Sequence, residues 1–115
     1  MDIPADQIER LRARCDEIAW SREGGVTFLF LRNLRLPAGA SPTTVDGLLR
    51  LGDRGDGYAT RLFFAKKVVG ASKIALNWNA DGIRILERNW YAYSWKAPLD
   101  IPVDAILLEH LKALM

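Results

Sequence analysis

The residues of this chain that are best suited to chemistry lie between Arg88 and Ser94. The sequence there is Arg-Asn-Trp-Tyr-Ala-Tyr-Ser, which puts three aromatic residues into four positions of a chain with 10% aromatics. A serine hydroxyl follows them directly, and such a hydroxyl is a nucleophile only when a base lies within hydrogen-bond reach. Ser94 is the only Ser, Thr or Cys after Ser72, so it is the nucleophile candidate of this region.

Three residues that follow the serine are candidates for its base. His110 is the only histidine of the chain, and its alternative interpretation is a helix residue at the edge of the core. Asp100 and Asp104 are the other two, although Asp104 also suits the first turn of a helix, where an acid complements the macrodipole. Ser94 has a structural alternative of its own, as a strand-end serine that caps backbone groups near Pro98. The residues leave both interpretations open.

The aromatic residues around the serine are candidate binding residues of two kinds. Trp90 and Tyr93 are expected to pack in the core against the last helix in preference to contacting a substrate. Tyr91 and Trp95 would then project to the other side and form an exposed aromatic patch. Such residue types are enriched at the hot spots of binding interfaces.

The composition argues against several classes of protein. A chain of 115 residues is expected to form one domain, residues 1–115. Its net charge of +2 and its scattered basic residues argue against a nucleic-acid partner. A single cysteine and a single histidine provide neither a disulfide nor a metal cluster, and no cofactor is expected. The acidic N-terminus and the lack of a long apolar run predict a cytoplasmic protein without a membrane partner.

The spacing of apolar residues predicts a helix near each end. In residues 4–19 they recur at intervals of three and four, which places Ile8, Leu11, Cys15 and Ile18 on one face. Cys15 is interpreted as core filler, since burial without a cationic partner leaves a thiol inert. The last helix opens at residues 100–102, and its apolar face comprises Val103, Ile106, Leu107, Leu111 and Leu114.

Three strands are predicted between the helices, at residues 26–36, 44–51 and 58–65. The short turns that join them favour an antiparallel meander, and therefore an α+β domain with helices packed on the sheet. The glycine-rich turn at residues 52–57 is not a phosphate loop, because no helix follows it and its two aspartates would repel phosphate.

A long irregular segment is predicted after the third strand. Residues 72–78 are a short strand or an extended loop, Ala80-Asp81-Gly82 is a turn, and residues 83–86 are a further short strand.

This order of elements resembles the ubiquitin-conjugating (UBC-like) fold, and roughly residues 25–115 are similar to the prokaryotic ubiquitin-conjugating-enzyme-like family E. Six motifs in chain order carry the resemblance: Gly24-Gly25-Val26, residues 34–39, residues 45–51, Phe63-Phe64, Trp90-Tyr91-Ala92-Tyr93-Ser94 and residues 103–111. The best match is residues 90–94, which resemble the family's Trp-x-x-aromatic-Ser. The family follows that serine with Arg-His where this chain has Trp95-Lys96. The family's tyrosine-proline pair is Tyr58-Ala59 here.

The resemblance implies a conjugating enzyme that accepts a ubiquitin-like protein from its activating enzyme and passes it to an amine. The usual cysteine before the last helix is absent, so a serine oxyester on Ser94 is expected. An ester is less activated than a thioester, and its oxyanion would need a donor. The resemblance suggests the amide of Asn77, which is equally well interpreted as a turn residue. The setting implied is a bacterial pathway, with antiviral defence as one candidate role.

Two alternatives stay open. The first is a non-catalytic UBC-like variant that binds a ubiquitin-like protein or a pathway enzyme through the sheet face or through Tyr91 and Trp95. The second is a small adaptor or toxin-antitoxin component with an unrelated α+β fold.

Overall fold

A computed structural model describes residues 3–115, and this part of the chain forms two α-helices and six strands. The helices are α1 (Ala5–Arg12) and α2 (Val103–Leu111), and a 3₁₀ turn (Lys112–Leu114) follows α2. The strands are β1 (Glu17–Glu23), β2 (Val26–Arg35), β3 (Thr44–Leu51), β4 (Thr60–Phe64), β5 (Ala80–Ile85) and β6 (Arg88–Ala92).

All six strands belong to one antiparallel sheet, whose order is β1-β2-β3-β4-β6-β5. The first four strands follow chain order, as a meander does. The predicted α+β class and the three predicted strands of the meander are therefore confirmed. The sequence did not indicate a strand before β2.

The prediction of one helix over residues 4–19 is wrong beyond Arg12. Residues 17–23 form β1 and pair with β2 from Glu17↔Arg32 to Glu23↔Val26. The physical reason is the two-residue turn between them, where Gly24 and Gly25 have φ of +60° and +80°. A Gly-Gly turn of this kind joins two antiparallel strands, so the hairpin overrides the helical spacing of the apolar residues.

The segment after β4 is irregular only as far as residue 79. Residues 72–78 form an extended loop, which decides between the two predicted alternatives. The predicted turn at Ala80-Asp81-Gly82 is wrong, because the three residues belong to β5. Gly82 has φ +71° and lies at a register irregularity between Asp81 and Ile83. The bulge lets the chain bend without ending the strand.

The sheet has an apolar cluster on each face. Both helices cover one face, where side chains of α1 and α2 pack on β2, β3 and β4. The β5–β6 hairpin folds over the other face, where Trp90 meets Phe30 edge-on with ring centroids 6.3 Å apart. The β5–β6 hairpin therefore occupies part of the segment that was predicted to be irregular. It also brings the end of β6 back beside β4.

Candidate functional site

Ser94 lies two residues beyond the end of β6, and its side chain is exposed. Its backbone N–H donates to the Asn77 carbonyl oxygen at 2.7 Å, which fixes the position of the residue. Its hydroxyl lies 2.9 Å from the hydroxyl of Tyr58. The expected cap of backbone groups near Pro98 is not formed, since the Ser94 hydroxyl bonds to a side chain instead.

Tyr58 is the centre of a group of polar side chains. The Asn79 amide donates to the Tyr58 hydroxyl oxygen at 2.8 Å, and Arg61 in turn donates to the Asn79 side-chain oxygen. The Arg61 guanidinium also lies over the tyrosine ring, 4.2 Å from its centroid, and Lys96 Nζ lies 5.8 Å from that centroid. We call these five residues, Tyr58, Arg61, Asn79, Ser94 and Lys96, the Tyr58 cluster.

The surroundings of Tyr58 favour its phenolate form. Hydrogen bonds from Ser94 and then Asn79 lower the pKa of Tyr58, and the charges of Arg61 and Lys96 lower it further against the opposing effect of burial. A general base must lie within hydrogen-bond reach of the proton that it takes. Tyr58 meets that condition for the Ser94 hydroxyl.

His110, one of the three candidate bases, makes no hydrogen bond with Ser94. It is 2% exposed, and its Nε2 lies 2.9 Å from the Thr60 hydroxyl. Thr60 donates its only hydroxyl proton to the Ala97 carbonyl at 2.8 Å, so Nε2 must be the donor in the His110 bond. Burial, together with the charge of Arg61, lowers the pKa of His110 to about 4. His110 is therefore a neutral structural group of the core.

The two predicted aspartates are also separate from Ser94. Asp104 forms an ion pair with Arg10 at 2.8 Å, and this bond holds the pKa of Asp104 below its usual value. The residue thus fits the alternative interpretation of an acid in the first turn of α2. Asp100 is exposed in the turn before α2 and makes no hydrogen bond with any residue from 3 to 115.

The backbone carbonyl of Asn77 accepts the hydrogen bond from Ser94. The exposed side chain of Asn77 and Ser94 both line a surface groove of about 410 Å³. The other walls of that groove are mainly apolar. They include Ile74, Leu76, Trp95 and Met115. We call this feature the Ser94 groove.

The four aromatic candidates do not form one surface. Trp90 and Tyr93 are 1% and 3% exposed, so both side chains lie in the core, the alternative that the sequence favours over contact with a substrate. Tyr93 packs toward α2, where its hydroxyl donates to the His110 carbonyl at 2.9 Å. Trp90 lies on the opposite face of the sheet, which corrects its expected packing against the last helix.

The two more exposed aromatic residues line different depressions of the surface. Tyr91 lines one with Lys67 and Asp81. Trp95 lines the Ser94 groove and is 36% exposed, and its indole N–H donates to the Glu109 carbonyl at 2.8 Å.

Cys15 is 5% exposed in the helix-covered core, and burial raises the pKa of its thiol. This agrees with its interpretation as core filler, although the residue lies after α1 and not within it. Among residues 3–115, no three His, Cys, Asp or Glu side chains are placed to hold a metal ion. No helix of the described residues is long and apolar enough to cross a membrane.

Sequence reasoning missed four members of the Tyr58 cluster: Tyr58 itself, Arg61, Asn79 and Lys96. The available signal was Arg61, the only charged residue of the predicted strand at residues 58–65, where it precedes the apolar run Leu62-Phe63-Phe64. A buried guanidinium needs polar partners, and that need points to the adjacent tyrosine and to a second polar segment.

Comparisons with known proteins leave the family open. A scan of family models and searches of curated proteins and of solved structures found no match to this chain.

Proposed function

We propose that this protein is a cytoplasmic, ubiquitin-conjugating-enzyme-like acceptor of a ubiquitin-like protein, which it carries as an oxyester on Ser94. The observation that carries the proposal is the exposed Ser94 hydroxyl, 2.9 Å from a tyrosine whose pKa is lowered. The ordered motifs of residues 25–115 and the α+β sheet between two helices support the same class.

Each polar group of the site has a role in that reaction. Tyr58, as phenolate, accepts the Ser94 proton while the serine oxygen attacks the carbonyl carbon of the thioester on the activating enzyme. The carbon–sulfur bond then breaks, and the sulfur leaves as a thiolate. Asn79, Arg61 and Lys96 stabilise the phenolate before the attack.

The oxyanion formed in this step needs a hydrogen-bond donor. The backbone N–H of Ser94 is already bonded to the Asn77 carbonyl. The Asn77 side-chain amide makes no hydrogen bond with another described residue, so it is the donor that we assign to the oxyanion.

The test is intact-mass spectrometry of the protein after incubation with ATP, a ubiquitin-like protein and its activating enzyme. We expect an adduct that resists thiol reductant, breaks in mild base and is absent from Ser94→Ala. Ser72→Ala is the matched control, because Ser72 lines the Ser94 groove and should leave the adduct intact. An adduct that survives Ser94→Ala would contradict the proposal.

The second candidate function is a non-catalytic binding module of the same class. The observation that favours it is the apolar wall beside Ser94, where Ile74 and Met115 are 71% and 61% exposed and Trp95 is 36% exposed. Incubation with ATP, the ubiquitin-like protein and its activating enzyme also distinguishes the two functions. A complex that persists in Ser94→Ala without any adduct, and that is lost in Trp95→Ala, would favour the binding module.

A further inference from the structure

A second cavity, of about 320 Å³, opens on the sheet face that the β5–β6 hairpin covers. Four arginines line it: Arg50 of β3, Arg54 of the turn after it, Arg61 of β4 and Arg84 of β5. Asp56 is the only carboxylate among the residues of its wall. We call this cavity the arginine pocket.

The base of the arginine pocket contains more positive than negative charge. Arg50 and Arg61 are 3% and 5% exposed, and both pair with Asp56, at 2.7 Å and 3.4 Å. One carboxylate between two buried guanidinium groups leaves one positive charge without compensation whenever Tyr58 carries its proton. A buried charge of this kind is strongly unfavourable unless a counter-charge accompanies it.

Arg61 also has a donor that is not used. Its two terminal nitrogens bond to Asp56 and Asn79, but its buried Nε has no hydrogen-bond partner among residues 3–115. Arg50 differs, because its Nε donates to the Gly52 carbonyl at 2.7 Å and its terminal nitrogens to Asp56 and Tyr58. Native proteins leave few buried donors unpaired, so Arg61 is less completely paired than Arg50 within the described residues.

The rim of the pocket supplies accessible donors. Arg54 has a side-chain exposure of 36% and only a long ion pair of 3.8 Å with Glu23. Arg84 is exposed and forms no ion pair within the described part of the chain. A guanidinium group binds phosphate through two parallel N–H bonds, and two of them at one rim can hold a phosphate-bearing anion from both sides.

We propose that the arginine pocket binds a small soluble anion that carries phosphate groups. Arg54 and Arg84 contact the anion, and Arg50 and Arg61 supply the positive potential beneath it. The size of the cavity suits a small molecule, and the scattered charge elsewhere on a chain of net charge +2 offers no track for a polynucleotide.

The backbone of the neighbouring turn is not part of this site. The N–H groups of Gly55 and Gly57 donate to the Asp53 carboxylate at 2.7 Å and 3.3 Å. The turn is therefore no phosphate loop, as the sequence indicates. The site depends on the arginine side chains instead, and it shares one of them, Arg61, with the Tyr58 cluster.

The test is isothermal titration calorimetry with pyrophosphate at low ionic strength. We expect saturable binding of one pyrophosphate per chain, weakened about tenfold for each lost arginine contact in the double variant Arg54→Gln, Arg84→Gln. Arg12→Gln is the matched control, since Arg12 belongs to α1 on the helix-covered face and should leave the affinity unchanged. If the double variant fails to fold, Arg84→Gln alone decides the question, with an expected loss of about tenfold.

Three results would overturn the proposal. Pyrophosphate could fail to bind saturably to the wild-type chain, or Arg12→Gln could lose as much affinity as the double variant, which would indicate unspecific charge attraction. The third is a single-stranded oligonucleotide that binds more tightly as its length increases, which would indicate a polynucleotide surface. Titration of Ser94→Ala separates the two sites, because that variant should bind pyrophosphate like the wild type.

Discussion

At the scale of single residues, the candidate site depends on Tyr58, a side chain to which the sequence assigned no role in the chemistry. Tyr58 contacts Ser94 and Asn79, which are 36 and 21 positions away along the chain. No spacing rule relates such distant positions, because the three meet only when the β5–β6 hairpin returns to the start of β4. The sequence could therefore identify the nucleophile candidate but not its neighbour.

The lowered pKa of Tyr58 can be measured directly. Of the three tyrosines, Tyr93 has a pKa that burial raises well above the usual value, whereas Tyr58 should ionise below it. We expect the first step of a spectrophotometric titration of the phenols to disappear in Tyr58→Phe. The same variant should form the Ser94 adduct about 100-fold or more slowly, the typical effect of losing a general base.

A control separates the base from a merely structural contact. Tyr91→Phe removes a half-buried phenol away from the site and should leave the rate of adduct formation unchanged. If Tyr58→Phe forms the adduct at the wild-type rate while Ser94→Ala does not, another group must take the proton.

At the scale of the elements, a local sequence pattern predicted the helix or strand correctly where no second pattern in the same segment favoured a different element. The apolar residues of β2 and β3 and the apolar face of α2 predicted those elements correctly. Near residue 18 two signals disagreed, since Ile8, Leu11, Cys15 and Ile18 fit a helix while Gly24-Gly25 fits a hairpin. The hairpin forms because β2 provides a complete ladder of backbone partners for β1, and such long-range pairing cannot be read from helical spacing.

The Gly24-Gly25 turn should therefore be a sensitive point of the β1–β2 hairpin. Gly25 has φ +80°, and a Cβ added there would meet no other atom within 4 Å. Gly25→Ala should then lower the free energy of unfolding by about 1 kcal/mol through backbone strain alone. Urea denaturation followed by circular dichroism measures that change.

Asparagine provides the matched variant at the same position. It tolerates left-handed φ values better than alanine does, so Gly25→Asn should lose clearly less stability. Equal losses in the two variants would show that the turn conformation does not determine the stability of the hairpin.

At the scale of the whole molecule, His110 joins three parts of the fold. Its ring bonds to Thr60 at the start of β4, Thr60 bonds to Ala97 in the loop after β6, and the Tyr93 hydroxyl bonds to the His110 carbonyl. These bonds connect α2, the sheet and the loop that contains Ser94. The charge state of one buried ring should therefore affect the stability of the entire domain.

The pKa of His110 falls from 6.5 to about 4 on folding, so the unfolded chain binds the proton more readily than the folded one. The stabilising contribution of neutral His110 is fully present above about pH 6.5, and it decreases as the pH falls from 6.5 toward 4. Over that window the loss amounts to about 3 kcal/mol in the free energy of unfolding. Urea denaturation at pH 7.5 and pH 5 should show most of it, because pH 5 lies well below the pKa of the unfolded histidine and still above that of the folded one. His110→Gln keeps a donor toward Thr60 but has no charge to gain, so its stability should differ much less between the two pH values. A variant with the same pH dependence as the wild type would assign the acid sensitivity to other groups.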